Sequence, residues 1–405
     1  MKPQIMRVKK IWKLSWLLLL MGIAFSYGMF QGGFVSWFLF SSFLPFAVYA
    51  CILIIYPLGE VSVLRSLSKS EFHAGESVTV KVTLTRKSRI PLFYMIVEDT
   101  LPSSIQDTVK VDGSKICLFP RFDKQFSYSY KLNELPRGEH VFQNVRIKLG
   151  DPLGLTEKEI QLVQEDKIIV YPAFEELIYR PLQNQFDQGM AVSKERVQRD
   201  TTMATGVRDY QPGDRYSWIN WKASAKRNNI MVKEFEQRQS HDVQIIIDCI
   251  HEERFEILVS FASSLIRAIL RRGAQVGFLA VSKERVSFPI RGGDVQLQQL
   301  FYSLAKIKDE SSVPIEHVLE SERFQSKDQV TVMLLTATLS KSLIEKASVM
   351  TKRKGSMLLF LIKKELESPN EYEQILMSLA NRRGVKVIMI HERNFSFSLK
   401  EVSKA

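Results

Sequence analysis

Two long apolar runs without a charged side chain open the chain. They cover residues 14–30 and 34–58, and only a short Gln-Gly-Gly link at residues 31–33 separates them. Each run is long enough to cross the hydrocarbon core of a bilayer as a helix. The pattern therefore predicts a helical hairpin in the membrane. A cleaved signal peptide is the alternative, and it is weaker because a second full-length run follows at once and no small-residue cleavage site follows the first run.

Basic residues precede the first apolar run, whereas the link between the runs contains none. Cytoplasmic segments beside membrane helices are enriched in Lys and Arg, so we expect the N-terminus in the cytoplasm. Two spans return the chain to the same side, and residues after about 59 are therefore expected there too. The predicted location is the cell membrane, with two passes and the lipid bilayer as a partner. The basic residues are Lys2, Arg7, Lys9, Lys10 and Lys13.

Apolar and polar residues alternate with a period of two through residues 60–172. The clearest examples are residues 77–85, 126–132 and 145–149. Turn sequences with Gly or Pro lie between such runs, at residues 112–113, 135–138 and 151–154. Several short strands at this spacing predict a small antiparallel β-sandwich. The region shows no phosphate-binding loop or paired carboxylates, which favours an interaction or spacer module.

Apolar strands and amphipathic helices alternate in the last third of the chain. A buried strand at residues 242–248 is followed by a helical pattern that ends at Gly273. Later strands are predicted at residues 274–281, 330–336, 356–362 and 385–390, with helices at about 294–306, 339–353 and 370–382. This alternation predicts a mostly parallel α/β sheet of the Rossmann type. Ligands bind such sheets at the carboxyl ends of the strands.

Composition adds a basic excess and few cysteines. The formal net charge is +12, from 56 basic and 44 acidic side chains. Such a balance favours an anionic neighbour, and the basic tail beside an apolar run points to lipid before nucleic acid. The three cysteines lie far apart, so neither a zinc site nor a disulfide framework is indicated.

Three acidic residues are candidates for a metal site at the predicted sheet edge. In a von Willebrand factor A type domain, an Asp-x-Ser-x-Ser motif follows the first strand, and its oxygen ligands suit Mg²⁺. Here Asp248 and Glu252 follow the first strand, Ile250 stands where the first serine belongs, and Asp294 lies near the expected position of a threonine. The departures favour a degenerate site without a cofactor over a Mg²⁺ site. Enzyme motifs for nucleotide, zinc or serine chemistry are also absent from the sequence, so we expect a non-enzymatic protein.

The segment at residues 206–237 is dense in tryptophan and basic residues. A turn is predicted before Asp214, with a helix that begins there or at Ser217. Trp218 and Trp221 then share one helical face, because they are three residues apart. One interpretation is nucleic-acid binding, with tryptophans on bases and lysines on phosphates. The helical spacing favours the other interpretation, in which both tryptophans pack the helix onto the sheet and the lysines are solvated.

The same segment resembles a known family. The sequence GVRDYQPGDRYSWINWKASAKRNNIMVKEFE is similar to the core signature of the family called domain of unknown function 58, the MoxR-associated membrane proteins. Residues 135–155 and 167–172 agree as well. Arg215, Ser217 and Trp218 depart from the pattern, in which a second acidic residue and arginines are common. The matching residues are Gly206, Arg208, Tyr210, Pro212, Gly213, Asp214, Ile219, Trp221, Ser224 and Glu234.

The resemblance implies a cytosolic von Willebrand A-like domain on a membrane hairpin, without an established catalytic activity. It also implies a MoxR-type AAA+ ATPase as a partner and a transglutaminase-like membrane protein as a further one.

The predicted domain organisation is a tail and hairpin at 1–59, a β-sandwich-like domain at 60–172, a linker at 173–205 and the α/β domain at 206–405. The alternatives are a metal-dependent hydrolase centred on Asp248, or a protein that binds anionic lipid or nucleic acid.

The function predicted from the sequence is therefore a membrane-anchored adaptor or assembly factor in envelope-related processes. Its partner surface is expected to lie on the family signature. The residues expected there are Arg208, Tyr210, Pro212, Gly213, Asp214, Trp221, Lys222 and Ser224.

Overall fold

The chain forms two compact units in the computed structural model. One unit comprises residues 1–173 with 304–306, and the other comprises residues 174–303 with 307–405. The residues that the structure describes are 2–69, 71–106, 109, 113–154, 156–179, 204–211, 214–235, 242–321, 330–354, 357–392 and 395. Most of the predicted linker, together with Pro212 and Gly213, lies outside them.

Two helices at the N-terminus pack against each other as a hairpin. Helix α1 (Lys2–Gln31) and helix α2 (Phe34–Ile55) are joined by Gly32 and Gly33, whose φ angles of 59° and 89° favour glycine. The Phe25 ring of α1 lies 5.7 Å from the Phe40 ring of α2. The predicted helical hairpin is therefore present in the first unit.

One described helix, α2, is long and apolar enough to cross a membrane. Only 22% of its most apolar window is buried, whereas a core helix of a soluble protein is mostly buried. The apolar part of α1 found among the described residues, Leu18–Gln31, is shorter. The structure thus supports one candidate span by length and composition, where the sequence pattern predicts two.

The rest of the first unit is a pair of β-sheets that share one apolar core. One sheet has the order β1-β3-β6 and the other the order β2-β8-β7-β4-β5. Alternate residues of the strands point into the core, as in β3, where the four inward apolar side chains are fully buried. The strands are β1 (Val61–Leu67), β2 (Phe72–His73), β3 (Val78–Arg86), β4 (Tyr94–Asp99), β5 (Lys115–Leu118), β6 (Gln125–Leu132), β7 (Gly138–Gly150) and β8 (Glu157–Tyr171), with a short helix α3 (Ser103–Gln106) after β4.

Charged groups connect the two sheets and the helical hairpin. Arg65 on β1 binds both carboxylate oxygens of Asp99 on β4, at 3.0 and 2.7 Å, and all of these atoms are buried. Tyr130 on β6 donates to the same carboxylate at 2.7 Å. Lys158 on β8 donates to the carbonyls of Ile54, at 3.2 Å, and Tyr56, which ties the end of α2 to the second sheet.

The family signature forms a small hairpin in the second unit. Strands β9 (Ala204–Asp209) and β10 (Met231–Phe235) pair antiparallel, and helix α4 (Trp221–Arg227) lies between them. The prediction of a helix from Asp214 or Ser217 is wrong. A single 3₁₀ turn occupies Tyr216–Trp218, and α4 begins later because the Asn220 side chain caps it by accepting from Ala223 N at 3.2 Å.

A six-stranded mixed sheet dominates the second unit, with the order β13-β12-β11-β14-β15-β16. Its pairs are parallel except for β12–β13, which is antiparallel. The prediction of a mostly parallel α/β sheet is confirmed. The elements are β11 (Val243–Ile247), α5 (Phe255–Arg271), β12 (Val276–Val281), β13 (Arg285–Arg291), α6 (Asp294–Lys306), α7 (Ile315–Ser321), β14 (Thr331–Thr336), α8 (Lys341–Lys354), β15 (Met357–Lys363), α9 (Glu371–Arg382) and β16 (Lys386–His391).

Candidate functional site

Asp248 follows β11 at the carboxyl edge of the parallel strands and is 7% exposed. The Thr336 hydroxyl, at the end of β14, donates to Asp248 Oδ2 at 2.8 Å. The Ile250 backbone N–H donates to Asp248 Oδ1 at 3.2 Å. Both carboxylate oxygens are therefore engaged by the chain itself. A small pocket beside them is lined by Asp248, Ile250, Glu252, Phe255, Leu258, Ala337 and Thr338.

Burial raises the pKa of Asp248 above its ordinary value, and the hydrogen bonds from Thr336 and Ile250 oppose that shift. Glu316 and Glu252 raise the same pKa further, since a second negative charge nearby disfavours ionisation. A bound divalent cation would require the opposite, an ionised carboxylate with oxygens directed at the ion.

Five charged residues at the same sheet edge, two basic and three acidic, pair with one another. Arg254 binds Glu252 at 2.8 Å and Glu367 at 3.2 Å. Lys363, the last residue of β15, binds Glu367 at 3.0 Å and Glu373 at 2.8 Å. We call these residues the edge network. Because Arg254 and Lys363 already bind these carboxylates, few carboxylate oxygens remain to bind a metal ion. For the same reason neither cation is left to bind a phosphate.

Lys363 is the most buried member of the edge network, with 3% of its side chain exposed. A buried ammonium is stable only when carboxylates and hydrogen bonds compensate it. Burial by itself would raise the pKa of Glu367, but the Lys364 backbone N–H, Lys363 and Arg254 together hold it below its ordinary value. Glu367 is thus held in its ionised form by the groups that pair with it.

The structure brings two of the three predicted metal candidates, Asp248 and Glu252, to one pocket and places Asp294 apart from them. Glu252 lines the pocket beside Asp248, but its carboxylate is bound by Arg254. Asp294 belongs to the opposite edge of the sheet, because antiparallel pairing sets Arg291 beside Val276, at the start of β12. A five-residue strand separates that edge from Asp248, roughly 15 Å at the usual rise per residue. The expectation that Asp294 lies near Asp248 is wrong, and the residues present do not fit a Mg²⁺ site.

The reason for this error is the strand β13, which the hydrophobic pattern of the sequence does not predict. Its residues alternate between exposed and half-buried positions, a weaker signal than the continuous apolar runs of the parallel strands. The edge network was also missed. Its signal is the lysine that ends the otherwise apolar strand β15, where burial of a charge demands acidic partners.

A bidentate salt bridge closes the turn of the family signature. Arg208 binds the two oxygens of Asp214 at 2.8 and 2.7 Å, and Asp214 also accepts from Gln211 N at 3.0 Å. The Asp214 side chain is 10% exposed. Two signature residues expected on a partner surface are therefore used within the hairpin. Pro212 and Gly213, expected on the same surface, lie outside the described residues.

Two further signature residues hold the strand and helix together. The Ser224 hydroxyl donates to the Asn220 carbonyl at 2.9 Å and accepts from Met231 N at 2.8 Å. The Tyr210 backbone N–H donates to the Ile230 carbonyl at 2.9 Å. Ser224 thus fixes α4 against β10, which is a structural role.

The tryptophans do not pack as the helical spacing predicted. Trp218 lies in the 3₁₀ turn, half-buried, with the Arg215 guanidinium 5.4 Å from its ring centre. Trp221 begins α4 and is 70% exposed. The prediction that both rings pack a helix onto the sheet is wrong for Trp221. Lys222 and Lys226 of α4 are exposed as well, and they lie at i+1 and i+5 from Trp221, beside its helical stripe rather than on it.

Comparisons with known proteins agree with the signature. The model of the family described as "Protein of unknown function DUF58" matches residues 206–390. The Uncharacterized protein YeaD of Bacillus subtilis is 36% identical over 379 residues, which cover 93% of this chain and 94% of that protein.

Solved structures resemble the chain at low sequence identity. The VWA domain of SpRpn10 is 10% identical with a TM-score of 0.28, over 41% of this chain and 94% of that one. The ArnB paralog VWA2 from Sulfolobus acidocaldarius is 10% identical with a TM-score of 0.24, over 85% of this chain and 54% of that one. TM-scores this low support no argument about function. The match to YeaD and the family model together show that the chain belongs to the DUF58 family.

Proposed function

We propose that this protein is a membrane-anchored, non-enzymatic adaptor that binds a partner protein through the exposed face of α4. The observation that carries the proposal is the exposure of Trp221, at 70%, beside two lysines. Tryptophan is enriched among the few residues that dominate the affinity of protein interfaces. A partner with an apolar pocket and an acidic rim fits this face.

The internal contacts of the signature support the same interpretation. The Arg208–Asp214 bridge and the Ser224 hydrogen bonds hold the hairpin in one conformation, so α4 is presented by a rigid support. A pre-organised surface loses less conformational entropy when it binds. The signature then has two parts, internal contacts that shape the hairpin and an exposed face that binds.

The carboxyl edge of the sheet favours a binding protein over an enzyme. In α/β sheets of this type the strand ends are where ligands bind. Here Asp248 is satisfied by Thr336 and Ile250, and the edge network satisfies its own charges. A degenerate von Willebrand A-like domain, without a metal cofactor, is the assignment that we propose for the second unit.

The helical hairpin supplies the proposed anchor. Helix α2 has the length and composition of a span, and α1 packs along it through Phe25 and Met21. If α2 crosses the bilayer, the β-sheet unit that follows its Ile55 end lies at one surface of that bilayer. The basic residues at 2–13 support the cytoplasm as that side, because Lys and Arg are enriched in cytoplasmic segments beside membrane helices.

The partner that we propose is a MoxR-type AAA+ ATPase, which is what the family resemblance implies. A transglutaminase-like membrane protein is proposed as a further component. The exposed face of α4 is basic, so the ATPase is expected to present acidic residues around an apolar pocket.

Cross-linking in native membranes, followed by affinity purification of the tagged full chain, tests this proposal. We expect the ATPase to be recovered with the wild type and with Tyr372→Ala. With Trp221→Ala we expect that it is no longer recovered. Tyr372 is a matched control, because it is a 59% exposed aromatic residue on α9. Failure to recover an ATPase with the wild type would overturn the proposal.

Two alternatives have separate readouts with the same full chain. A hydrolase centred on Asp248 requires Mg²⁺ binding in a calorimetric titration that Asp248→Ala abolishes, whereas we expect no binding heat. Nucleic-acid or lipid binding by α4 requires an affinity that falls steeply with salt. Retention of the ATPase, with no retention of nucleic acid or lipid by α4 even at low salt, is the result expected for the adaptor.

A further inference from the structure

Two loops of the β-sheet unit form a single projection at the end nearest α2. Residues 87–93 connect β3 to β4, and residues 119–124 connect β5 to β6. Leu92 and Arg121 join them by two backbone hydrogen bonds of 3.0 and 3.1 Å. We call these two loops the aromatic tip.

Arg86, at the end of β3, holds the two loops of the aromatic tip together. Its guanidinium, 2% exposed, donates to the carbonyls of Ile90 at 2.7 Å, Arg121 at 2.8 Å and Asp123 at 2.6 Å. Arg121 has a φ of 48°, a left-handed conformation that non-glycine residues rarely adopt. A buried cation that hydrogen-bonds carbonyls of both loops stabilises that conformation and keeps the loops together.

The aromatic tip exposes large rings and basic side chains. Phe119 is 69% exposed, Phe122 is 67% exposed and Phe93 is 54% exposed. Three exposed phenylalanines on one fixed projection are unusual for a surface that contacts only water. The exposed charged residues of the tip are Lys87, Arg89, Arg121, Lys124 and Asp123, so basic residues dominate.

Contact with α2 sets the position of the tip along the hairpin. The Tyr49 hydroxyl accepts a hydrogen bond from Phe93 N at 3.1 Å, and the two rings meet edge to face with centres 4.8 Å apart. Tyr49 lies six residues before the end of α2 at Ile55, about 9 Å along the helix axis. The backbone of the tip therefore lies beside the candidate span itself, at a level of α2 that precedes its end at Ile55.

We infer that the aromatic tip inserts into the cytoplasmic interface of the bilayer, with its phenylalanines among the acyl chains and its basic residues at anionic headgroups. This inference rests on the proposed membrane anchor. A depth of about 9 Å matches the burial of interfacial segments, which lie roughly 5–10 Å into the headgroup and acyl boundary. The continuity with α2 selects lipid as the occupant, and the basic residues select anionic lipid.

Spin-label accessibility in lipid nanodiscs tests the inference on the full chain. The native cysteines Cys51, Cys117 and Cys249 are replaced, and a nitroxide is attached at one new cysteine at a time. Phe122→Cys reports on the tip, Phe38→Cys on α2 and Val163→Cys on an exposed apolar position of β8. Val163 is a matched control, because it is 75% exposed and lies five residues along β8 from Lys158, which contacts α2.

We expect labels at Phe122 and Phe38 to be shielded from a water-soluble nickel chelate and accessible to oxygen, with the reverse at Val163. Replacing phosphatidylglycerol by phosphatidylcholine, or introducing Arg89→Glu with Lys124→Glu, is expected to increase nickel accessibility at Phe122 only. If Phe38 is shielded while Phe122 behaves like Val163, the tip does not insert although the anchor stands. If Phe38 itself is accessible to nickel, the anchor fails and the inference fails with it. Protection of Phe122 in native membranes but not in purified nanodiscs would instead identify a protein as the occupant.

Discussion

Arg208 and Asp214 clamp the turn of the family signature through two parallel hydrogen bonds, from Nη1 to Oδ2 at 2.8 Å and from Nη2 to Oδ1 at 2.7 Å. A bidentate pair of this kind fixes geometry as well as charge. The signature's arginine and its turn aspartate are thus satisfied inside the hairpin. What the hairpin offers to another molecule is the exposed face of α4.

Removing the clamp should loosen the hairpin without changing the rest of the unit. In Asp214→Ala the Gln211 N–H loses its side-chain acceptor and Arg208 loses the carboxylate that it binds through two hydrogen bonds. We expect the local opening free energy to fall by about 1 kcal/mol, a modest value because the Arg208 side chain is 31% exposed. Hydrogen exchange of peptides that contain Gln211 measures this change. Asp209→Ala removes the same charge from an exposed position of β9, and equal exchange in the two variants would refute the clamp.

Trp221→Ala should separate binding from stability. Because the ring is 70% exposed, we expect the stability of the unit to change by less than about 0.5 kcal/mol. Loss of an aromatic anchor at an interface costs about 2 kcal/mol or more, so affinity for the ATPase should fall roughly thirtyfold. Binding assays with nanodisc-embedded protein and the purified ATPase measure the affinity, and thermal unfolding measures the stability. Unchanged affinity with Trp221→Ala would place the partner surface elsewhere.

The sequence predicted the second unit well because its strands are long apolar runs between amphipathic helices. The five parallel strands and the helices α6, α8 and α9 lie within a few residues of the predicted bounds. It did not predict β13, whose alternating exposure gives a weak pattern. That one strand reverses the chain and carries Asp294 to the opposite edge, so an error in topology became an error in the candidate site.

The tryptophan segment shows a second limit of pattern analysis. Three-residue spacing places Trp218 and Trp221 on one face only if both lie in one helix. The Asn220 cap starts α4 after Trp218, so the two rings belong to different elements. Asn is among the residues most strongly preferred as the N-cap of a helix. When one lies inside a candidate helix, residues on either side of it can belong to different elements, and their helical spacing then does not place them on one face.

Stability should depend on pH through Asp248 and Thr336. The folded-state pKa of Asp248 is raised, mainly by burial, so its contribution to stability is present below the unfolded pKa, near 3.8, and is lost as pH rises through the folded pKa. Thr336→Val removes a hydrogen bond to the ionised form, which raises the folded pKa further. We expect a loss of about 1–3 kcal/mol near neutral pH and a smaller loss near pH ~4.

Thermal unfolding of the detergent-purified full chain at the two pH values measures the effect of Thr336→Val. Thr338→Val is the matched control, because it makes the same chemical change at an exposed threonine. The backbone of residue 338 still contacts the Thr336 hydroxyl in that variant. A deficit of equal size at both pH values would contradict the proposed link between Thr336 and the ionisation of Asp248.

Lys363→Met tests whether the edge network is structural. The substitution leaves Glu373, whose side chain is 12% exposed, without its cation, and an uncompensated buried charge costs about 3–5 kcal/mol. We expect hydrogen exchange in β14 and β15 to accelerate accordingly. Adding Glu373→Gln should recover part of the loss, because one unpaired charge is then removed. Lys364→Met, next to it in sequence, breaks an exposed pair with Glu253 and should leave stability nearly unchanged. If Lys363→Met exchanges like Lys364→Met, the network does not stabilise the sheet edge, and its charges are then available to a ligand.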